Sequence, residues 1–474
     1  MTDVYAAPWI HKPRNGAPER PLEPPSPGEL RALAQRLRAG QGAWAAAGPR
    51  GRAEVLLRWR GALTAERGGL IDALVADTGR RAESELEVDL VLGMIDRWAR
   101  LGPDLLAPVP GTPAGPPGLV IGGDHVPYPL VAVISPWNFP LLLGLIDAIP
   151  ALTAGCAALV KPSEVTPRFI GPLMRTVARV PELAAVLAVV EGAGDVGADL
   201  VGLSDLVAFT GSVPTGRRVG EAAARAFVPA FLELGGKDPA IVLAGADLER
   251  ASSAVLWGGT ANAGQSCLSI ERVYVEQPAY DAFVESLTAK AARVGLARPR
   301  PEDPGLGPLI DPAQAAVIEE QLADAYAKGA VARCGGTVER LDGGHWCRPT
   351  VLTGVDHSMA VLTQETFGPI LPVMPVADAD EAVRLANDSA YGLSAAVFGP
   401  TEDAAMAVAA RLEAGAISVN DAALTAMVQE GEKNSFKSSG LGGSRMGPAS
   451  LRRFVRRRSY LVNRATGPDP WWHQ

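Results

Sequence analysis

The sequence has few cysteines, few aromatic residues and no excess of positive charge. Four cysteines occur in 474 residues, and no two of them form a C-x-x-C pair. The sequence therefore indicates neither a zinc site nor a disulfide framework, and we expect no metal in the functional site. Because free cysteines are typical of a reducing compartment, we expect the protein in the cytoplasm.

Net charge and hydropathy exclude two further classes of partner. The formal net charge is −8, whereas a nucleic-acid-binding surface is typically strongly basic. The basic run at 452–458 (RRFVRRR) is expected to be a solvated face or a subunit contact. The N-terminal stretch lacks the apolar segment of a signal peptide. The apolar run at 140–160 carries Asp147 and Pro150, which predicts a helix, a turn and a strand instead of a membrane span.

The order of apolar patterns predicts an α/β protein. Residues 29–101 carry apolar residues at helical spacing, after a proline-rich stretch at 12–27 that we expect to be an extended arm. Short apolar runs then alternate with helical patterns, which predicts a parallel sheet covered on both faces. A second alternation covers about 247–422. Ligands of such sheets bind at the carboxyl ends of the strands. Here those ends read SPWN, KPSE, EGAG, FTGS and ELGG.

Two of these turns compete for a dinucleotide pyrophosphate. Residues 190–200, VEGAGDVGADL, contain a literal G-x-G-x-x-G after an apolar run. Asp195 and Asp199 would cap the helix that follows but would repel a phosphate. Gly211 and Ser212, in FTGSVPTG, open a helix without carboxylates and with two arginines close by. The charge pattern therefore favours the later turn as the phosphate site.

Three side chains suit acyl-transfer chemistry. Cys267 lies in a polar loop, NAGQSCLS, where a thiol can be activated, although a cysteine packed as a small hydrophobe is the alternative. Glu233 lies in an apolar run, FLELGGKDP, where burial would suit a general base, with an exposed strand-end charge as the alternative. The amide of Asn138, in SPWNFP, could donate to an oxyanion or form a turn. No histidine pairs with Cys267 in a way that predicts a Cys–His hydrolase.

Together these motifs resemble the NAD(P)-dependent aldehyde dehydrogenase superfamily. The resemblance covers nearly the whole chain, through PWNFP, LVKPSE, FTGSVPTG, LELGGKDP, GQSC, ETFGP, NDSAYGLSAAVF and SGLGGSRMG in order. The 34 residues from Glu233 to Cys267 (267 − 233) also agree with the family.

The resemblance implies a domain organisation. It predicts a Rossmann-type NAD-binding domain at 1–105 and 131–234, and an α/β catalytic domain at 235–435. The remaining segments, 106–130 and 436–474, are expected to form a β-strand oligomerisation arm and a tail. The strand pair near 119–130 and the tail at 453–464 would reach a neighbouring subunit of a homodimer or homotetramer.

The resemblance also implies residue roles. Cys267 would be the nucleophile, Glu233 the general base, and Asn138 one half of the oxyanion hole, with the backbone N–H of Cys267 as the other. The implied reaction attacks an aldehyde, passes hydride to the cofactor from a thiohemiacetal, and hydrolyses the thioester that remains. The implied cofactor contacts are Ile134, Pro136, Trp137, Lys161, Glu164, Gly194, Phe209, Gly211, Ser212, Leu234, Glu365 and Phe367.

Among these contacts, Lys161 and Glu164 match the adenosine ribose positions, with a surface ion pair as the alternative. A carboxylate at Glu164 would accept a ribose 2′-hydroxyl and repel a 2′-phosphate, so we predict NAD over NADP. Glu365 and Phe367 match the positions that hold the nicotinamide ribose and ring.

Substrate choice follows from a few apolar positions. We expect Leu142, Ile146, Ser266, Leu268 and the loop at 422–430 to face the aldehyde. No arginine in the helix after PWNFP or beside Cys267 could bind a second carboxylate, so an apolar aliphatic or aromatic aldehyde is predicted. The C-terminal EKNSFKSSGLGGSRMG departs from the Pro-Phe-Gly-Gly turn of many family members. A CoA-acylating enzyme and a non-catalytic scaffold are the two alternatives.

Overall fold

The N-terminal region as far as residue 105 is mainly helical, as its apolar spacing predicts. The computed structural model describes residues 8–115 and 118–466. Its first helices are Pro27–Ala46, Gly48–Ala65, Arg67–Thr78 and Ala82–Leu105. A capping box opens the first of them, since Ser26 and Glu29 each accept a hydrogen bond from the other's backbone N–H. The proline-rich stretch before it includes a short hairpin, Trp9–His11 with Pro18–Pro21, instead of a wholly extended arm.

A six-stranded sheet follows, and its order is Gly440–Leu441, Ala230–Glu233, Leu206–Thr210, Leu130–Ile134, Ala157–Lys161 and Leu187–Val189. All neighbouring strands are parallel except the first pair. The order reverses at Leu130–Ile134, whose two neighbours come from later parts of the chain, so a crevice opens there at the carboxyl ends. The helices between these strands are Pro140–Leu145, Ala148–Ala154, Ile170–Ala178, Pro181–Ala184, Gly194–Leu203 and Val213–Ala226.

A seven-stranded sheet forms the second unit, in the order Val331–Cys334, Thr350–Thr353, Ile370–Val376, Ile270–Glu276, Asp238–Val242, Ser394–Phe398 and Ala416–Val419. The first pair is antiparallel and the others are parallel. Ile241 and Tyr274 face one hydrophobic cluster, whereas Val242 and Val273 face another. Successive strand residues point to opposite faces, so both faces of the sheet are covered. The helices here are Leu248–Thr260, Gln277–Ala291, Pro312–Ala327, Ala360–Thr363, Ala379–Asn387 and Glu402–Ala409, with 3-10 turns at Ala261–Gly264 and Leu424–Ala426.

A three-stranded antiparallel sheet joins the predicted arm to the tail. Val455–Asn463 pairs along its whole length with Leu119–Pro127, which pairs in turn with Val109–Pro113. The prediction of a strand pair near 119–130 is wrong, because 119–127 forms one strand whose partners come from Val109–Pro113 and from the tail. The contact with a neighbouring subunit stays a prediction. The segment 436–474 also contributes strand Gly440–Leu441 to the six-stranded sheet, because this strand pairs with Ala230–Glu233.

Smaller elements complete the structure. Two-stranded pairs join Val338–Leu341 to Gly344–Cys347 and Tyr391–Gly392 to Phe436–Lys437, and a short helix covers Ala449–Arg452. The apolar run at 140–160 forms two short helices and the start of a strand. Over residues 8–115 and 118–466, no helix combines the length and apolar character that crossing a membrane requires.

Candidate active site

Cys267 lies in the loop that joins the 3-10 turn Ala261–Gly264 to strand Ile270–Glu276 of the seven-stranded sheet. It is a free, partly exposed cysteine. The loop after Glu233 approaches it closely: a Cβ added at Gly236 would lie 2.5 Å from the Cys267 carbonyl oxygen. Because Gly236 has no side chain, the loop after Glu233 can pack directly against the loop of Cys267.

The side chain of Asn138 is buried and held in one orientation. Its Nδ2 donates to the carbonyl of Gln265 at 3.0 Å, two residues before Cys267 in the chain. An amide nitrogen has two hydrogens, so one remains available to an oxygen in the cavity. The backbone carbonyl oxygen of Asn138 accepts two further hydrogen bonds, from Asn262 Nδ2 at 3.0 Å and from the Arg80 guanidinium at 2.7 Å.

A buried ion pair fixes the loop that carries Asn138. Glu87 accepts the backbone N–H groups of Leu141 and Leu142 at 3.0 and 3.1 Å, at the start of helix Pro140–Leu145. Arg80 lies 3.5 Å from Glu87 and bonds the Asn138 carbonyl. Burial raises the pKa of Glu87 to about 7, against the pull of Arg80. Neither residue can be predicted from the sequence, because nothing in the helical pattern around them separates them from ordinary surface charges.

Glu233 is the last residue of strand Ala230–Glu233 and borders the same cavity as Cys267. Its Oε2 accepts a hydrogen bond of 3.1 Å from Ser435 Oγ. Thr210 is its register partner on the neighbouring parallel strand, so the two side chains lie on one face of the sheet. The structure thus brings Cys267, Asn138 and Glu233 together on one cavity.

That cavity has a volume of about 510 Å³. Leu142, Ile146, Ser266 and Leu268 all line it, as does the loop at 422–430 through Ala423, Thr425 and Met427. Three cations that were not among the predicted site residues also line it: Arg97, Lys433 and Arg445. Arg97 comes from helix Ala82–Leu105, and the other two come from C-terminal loops before and after strands Phe436–Lys437 and Gly440–Leu441. All three are far in sequence from the helix after PWNFP and the loop of Cys267.

The thiol of Cys267 lies in a field of opposing charges. Burial raises the pKa of the Cys267 thiol to about 12, and Asp238 and Glu365 act in the same direction. Lys433 and Arg445 act in the opposite direction. A nucleophilic thiolate would therefore depend on positive charge close to the sulfur.

The carboxyl ends of the first sheet also carry the predicted ribose pair. Lys161 Nζ lies 3.4 Å from Glu164 and donates to the Gly192 carbonyl at 2.7 Å. Burial lowers the pKa of Lys161, and Glu164 opposes that effect. A lysine and a carboxylate at this edge are the donor and acceptor that ribose hydroxyls require.

The two glycine turns differ as their charges predict. Helix Gly194–Leu203 has Asp195 in its first turn, and the Asp195 carboxylate accepts the Val196 N–H at 2.8 Å. Helix Val213–Ala226 has no acidic residue in its first turn, and its cap residue Ser212 is exposed. A Cβ added at Gly211 would lie 2.6 Å from the ring of Phe209. The structure therefore leaves the later helix start open to an anion.

Glu365 and Phe367 face the first sheet across the crevice. The ring of Phe367 meets Trp137 edge-on, with centroids 5.4 Å apart at 78°. Glu365 Oε1 accepts the Gly236 N–H at 3.0 Å. Burial raises the pKa of Glu365 to about 8, and Glu271 adds to the rise. Of the other predicted contacts, Ile134 ends its strand, Pro136 follows it, and Leu234 is buried against Gly216.

Buried charges hold the loop of Glu365 in place. Glu271 accepts the N–H groups of Thr366 and Phe367 at 2.7 Å each, and Lys237 Nζ lies 2.8 Å from Glu271. Lys237 lies in the GGKDP segment, so this motif is the feature of the sequence from which its role could be predicted. Glu271 has no comparable signal in the sequence.

Comparisons with known proteins agree with this architecture. A family model described as "Aldehyde dehydrogenase family" matches residues 26–460. A Mycolicibacterium smegmatis protein named "putative succinate-semialdehyde dehydrogenase", with NADP(+) in its name, is 36% identical over 93% of this chain and 86% of its own length. A Methylomonas protein named 4,4'-diapolycopene aldehyde oxidase is 36% identical over 85% of this chain and 76% of its own length.

Solved structures are similar over the same extent. One is titled as the "putative aldehyde dehydrogenase PutA" of Anabaena variabilis, with a TM-score of 0.96 and 54% identity over 98% of this chain and 99% of that one. A Staphylococcus aureus betaine aldehyde dehydrogenase solved with NAD+ has a TM-score of 0.90 and 29% identity, over 98% of this chain and 95% of its own.

The fold and the site define an oxidoreductase that acts on aldehydes. The chain belongs to the aldehyde dehydrogenase family. It oxidises an aldehyde to the carboxylic acid with NAD or NADP.

Proposed function

We propose that the chain oxidises its aldehyde with NAD, through a thiohemiacetal and then a thioester on Cys267. The observation that carries this proposal is the meeting of Cys267, Asn138 and Glu233 on one cavity, with the Asn138 amide fixed by Gln265. A nucleophile, an oxyanion donor and a base are the three groups that this chemistry requires.

Each residue then has one role. Cys267 Sγ attacks the aldehyde carbon, and the second hydrogen of Asn138 Nδ2 and the Cys267 N–H donate to the oxygen that becomes negative. Trp137, Glu365 and Phe367 would hold the nicotinamide end of the cofactor, which when bound would accept the hydride. Glu233 takes a proton from water, which hydrolyses the thioester and releases the acid.

The preference for NAD rests on Glu164. Its carboxylate lies beside the buried Lys161 ammonium, where it would accept a 2′-hydroxyl and repel a 2′-phosphate. The M. smegmatis relative carries NADP(+) in its name, whereas the S. aureus structure holds NAD+. Ser212 and the helix that begins at Val213 would bind the pyrophosphate, since no carboxylate lies in that first turn.

We propose an aldehyde with an apolar aliphatic or aromatic body. Apolar side chains form most of the cavity lining, and the large ones include Met94, Trp98, Leu142, Leu143, Ile146 and Trp257. Such a lining favours a substrate that removes apolar surface from water.

Absorbance of NADH during incubation with benzaldehyde, hexanal and succinate semialdehyde tests the proposal. We expect faster turnover of the first two aldehydes, a higher kcat/KM with NAD than with NADP, and no turnover by Cys267→Ser. The product should be the free acid in the presence and absence of CoA. An acyl-CoA product would instead support the CoA-acylating alternative, and no NADH with any aldehyde would support a non-catalytic scaffold.

We further propose a homodimer or homotetramer in which the sheet of Val109–Pro113, Leu119–Pro127 and Val455–Asn463 contacts a neighbouring subunit. Leu461 on this sheet is 74% exposed, and Tyr460 and Val462 beside it are also exposed. The scarcity of cysteine and the lack of C-x-x-C pairs support our expectation of a cytoplasmic protein.

A further inference from the structure

Two of the three cations on the nucleophile's cavity lie close together in sequence. Lys433 precedes strand Phe436–Lys437, Arg445 follows strand Gly440–Leu441, and both line the cavity with Cys267. The remainder of the lining is mostly apolar, with Glu233 and Glu83 as acidic members. A positive charge in such surroundings is costly unless an anion accompanies it.

The backbone of Lys433 is held by a hydrogen bond, whereas its ammonium has no carboxylate partner among the described residues. Its N–H donates to Ser444 Oγ at 2.9 Å, which fixes where the side chain starts. Among residues 8–115 and 118–466, no carboxylate lies within the 4.0 Å ion-pair distance of its ammonium. Lys437, four residues later, differs, because it pairs with Glu413 at 2.7 Å.

Arg445 has its charge immobilised. Its guanidinium bonds Asp147 at 2.8 Å and also Thr210, while Arg453 binds the other oxygen of Asp147 at 2.5 Å. Two guanidinium groups thus share the one carboxylate of Asp147, so the cluster of these three residues keeps a net positive charge. Arg445 Nε is buried and has no hydrogen-bond partner among the described residues.

Cys267 lines the same cavity as both cations, so the ionised sulfur is an anion that they can stabilise. Burial raises the pKa of the Cys267 thiol, and Asp238 and Glu365 add to the rise, whereas Lys433 and Arg445 lower that pKa. Glu233 also lines this cavity. A thiolate in an apolar cavity is stable only where positive charge offsets its desolvation.

We propose that Lys433 and Arg445 are positioning residues that stabilise the thiolate of Cys267. This inference rests on the proposed role of Cys267 as the nucleophile. It concerns the resting enzyme, so it can be tested without any turnover. Lys433 is the better residue to change, because its side chain has no ion pair among the described residues whose loss would affect folding.

The experiment measures the rate at which iodoacetamide alkylates Cys267 in the full-length protein between pH 6 and 10, by mass spectrometry of the Cys267 peptide. We expect Lys433→Gln to react about tenfold more slowly than wild type near pH 8, the effect of about one pKa unit. The whole rate profile of this variant should be displaced to higher pH. Lys433→Arg should restore the rate, and Lys437→Gln should match wild type.

Arg445 provides the second arm. Arg445→Gln should slow alkylation as Lys433→Gln does, whereas Arg445→Lys should retain most of the rate. Arg453→Lys, which acts on the same Asp147 but does not line the cavity, should leave the profile close to wild type. Thermal unfolding of each variant separates a loss of charge from a loss of fold.

Three results separate the two proposals. An unchanged alkylation profile in Lys433→Gln would overturn the thiolate assignment. The thiolate assignment would also be overturned if the only effect of Lys433→Gln were a higher KM for succinate semialdehyde, because Lys433 would then bind a substrate carboxylate. If wild type reduces no NAD with any aldehyde while the profile still shifts, the proposed function fails and the thiolate assignment stands.

Discussion

The guanidinium of Arg80 donates a hydrogen bond of 2.7 Å to the backbone carbonyl oxygen of Asn138. Arg80 is 2% exposed, and its guanidinium also lies 4.9 Å from the centroid of the Phe139 ring. The orientation of the proposed oxyanion donor therefore depends on a residue 58 positions earlier in the chain. Glu87, buried beside Arg80, holds the two N–H groups that follow the same loop.

Arg80→Met should impair both stability and catalysis. It leaves Glu87 buried without its cation, which costs about 3–5 kcal/mol of unfolding free energy. We expect kcat to fall at least tenfold in the fraction that folds, because the Asn138 loop loses a fixed contact. Arg81→Met is the control, since Arg81 makes exposed ion pairs, and it should cost about 1 kcal/mol or less. Urea unfolding and NADH assays that place both variants at wild-type values would contradict this role of Arg80.

Glu164→Gln should weaken the discrimination against NADP. The substitution removes the charge that would repel a 2′-phosphate and leaves the Lys161 ammonium nearby. We expect kcat/KM with NADP to rise about tenfold, the effect of removing ~1.4 kcal/mol of repulsion, and kcat/KM with NAD to fall. Steady-state assays with both cofactors measure the ratio. Glu182→Gln, an exposed carboxylate paired with Arg58, should leave it unchanged. A wild type that already prefers NADP would contradict the role given to Glu164.

The two glycine turns should respond differently to alanine. Gly194→Ala adds a Cβ with no heavy atom within 4 Å, whereas Gly211→Ala places one 2.6 Å from the Phe209 ring. We expect the KM for NAD to rise about twofold in the first variant, and about tenfold or more in the second, because the phosphate turn is displaced. Ser212→Ala should also weaken NAD binding. A larger effect at Gly194 than at Gly211 would return the pyrophosphate to the GAGDVG turn.

Cofactor affinity should depend on the ionisation of Glu365. Burial raises the pKa of this carboxyl to about 8, so it is mainly protonated below that pH and ionised above it. The ionised form accepts hydrogen bonds from ribose hydroxyls, so NAD binding should strengthen as pH rises from about 7 to 9. Calorimetric titration of NAD at several pH values measures the effect. Glu365→Gln should remove the pH dependence, and its persistence in that variant would assign it to another group.

The residues at the carboxyl ends of the parallel strands could be predicted from the sequence. Parallel strands place their carboxyl ends at one edge, so the strand pattern alone assigns Asn138, Lys161, Ser212 and Glu233 to one crevice. Both the strand pattern and the short polar turns are local features that periodicity detects. The charge difference between the two glycine turns is equally local.

The supporting charges could not be predicted in this way. Lys433 lies 166 residues after Cys267 (433 − 267), and Glu87 lies 51 residues before Asn138 (138 − 87). Their placement results from the packing of whole helices and of the C-terminal loop, which no short-range pattern records. For the same reason, the absence of arginine from the segments next to Asn138 and Cys267 does not mean that the cavity lacks arginine. Arg97 and Arg445 line it from distant parts of the chain.

The NADH released by Glu233→Gln in a single mixing experiment tests the central claim most directly. If Cys267 forms the thioester and Glu233 activates the water, this variant should release about one NADH per site and then stop. Mass spectrometry should then find the acyl group on Cys267. Continued turnover at the wild-type rate, or a burst without an acyl group on Cys267, would contradict the account.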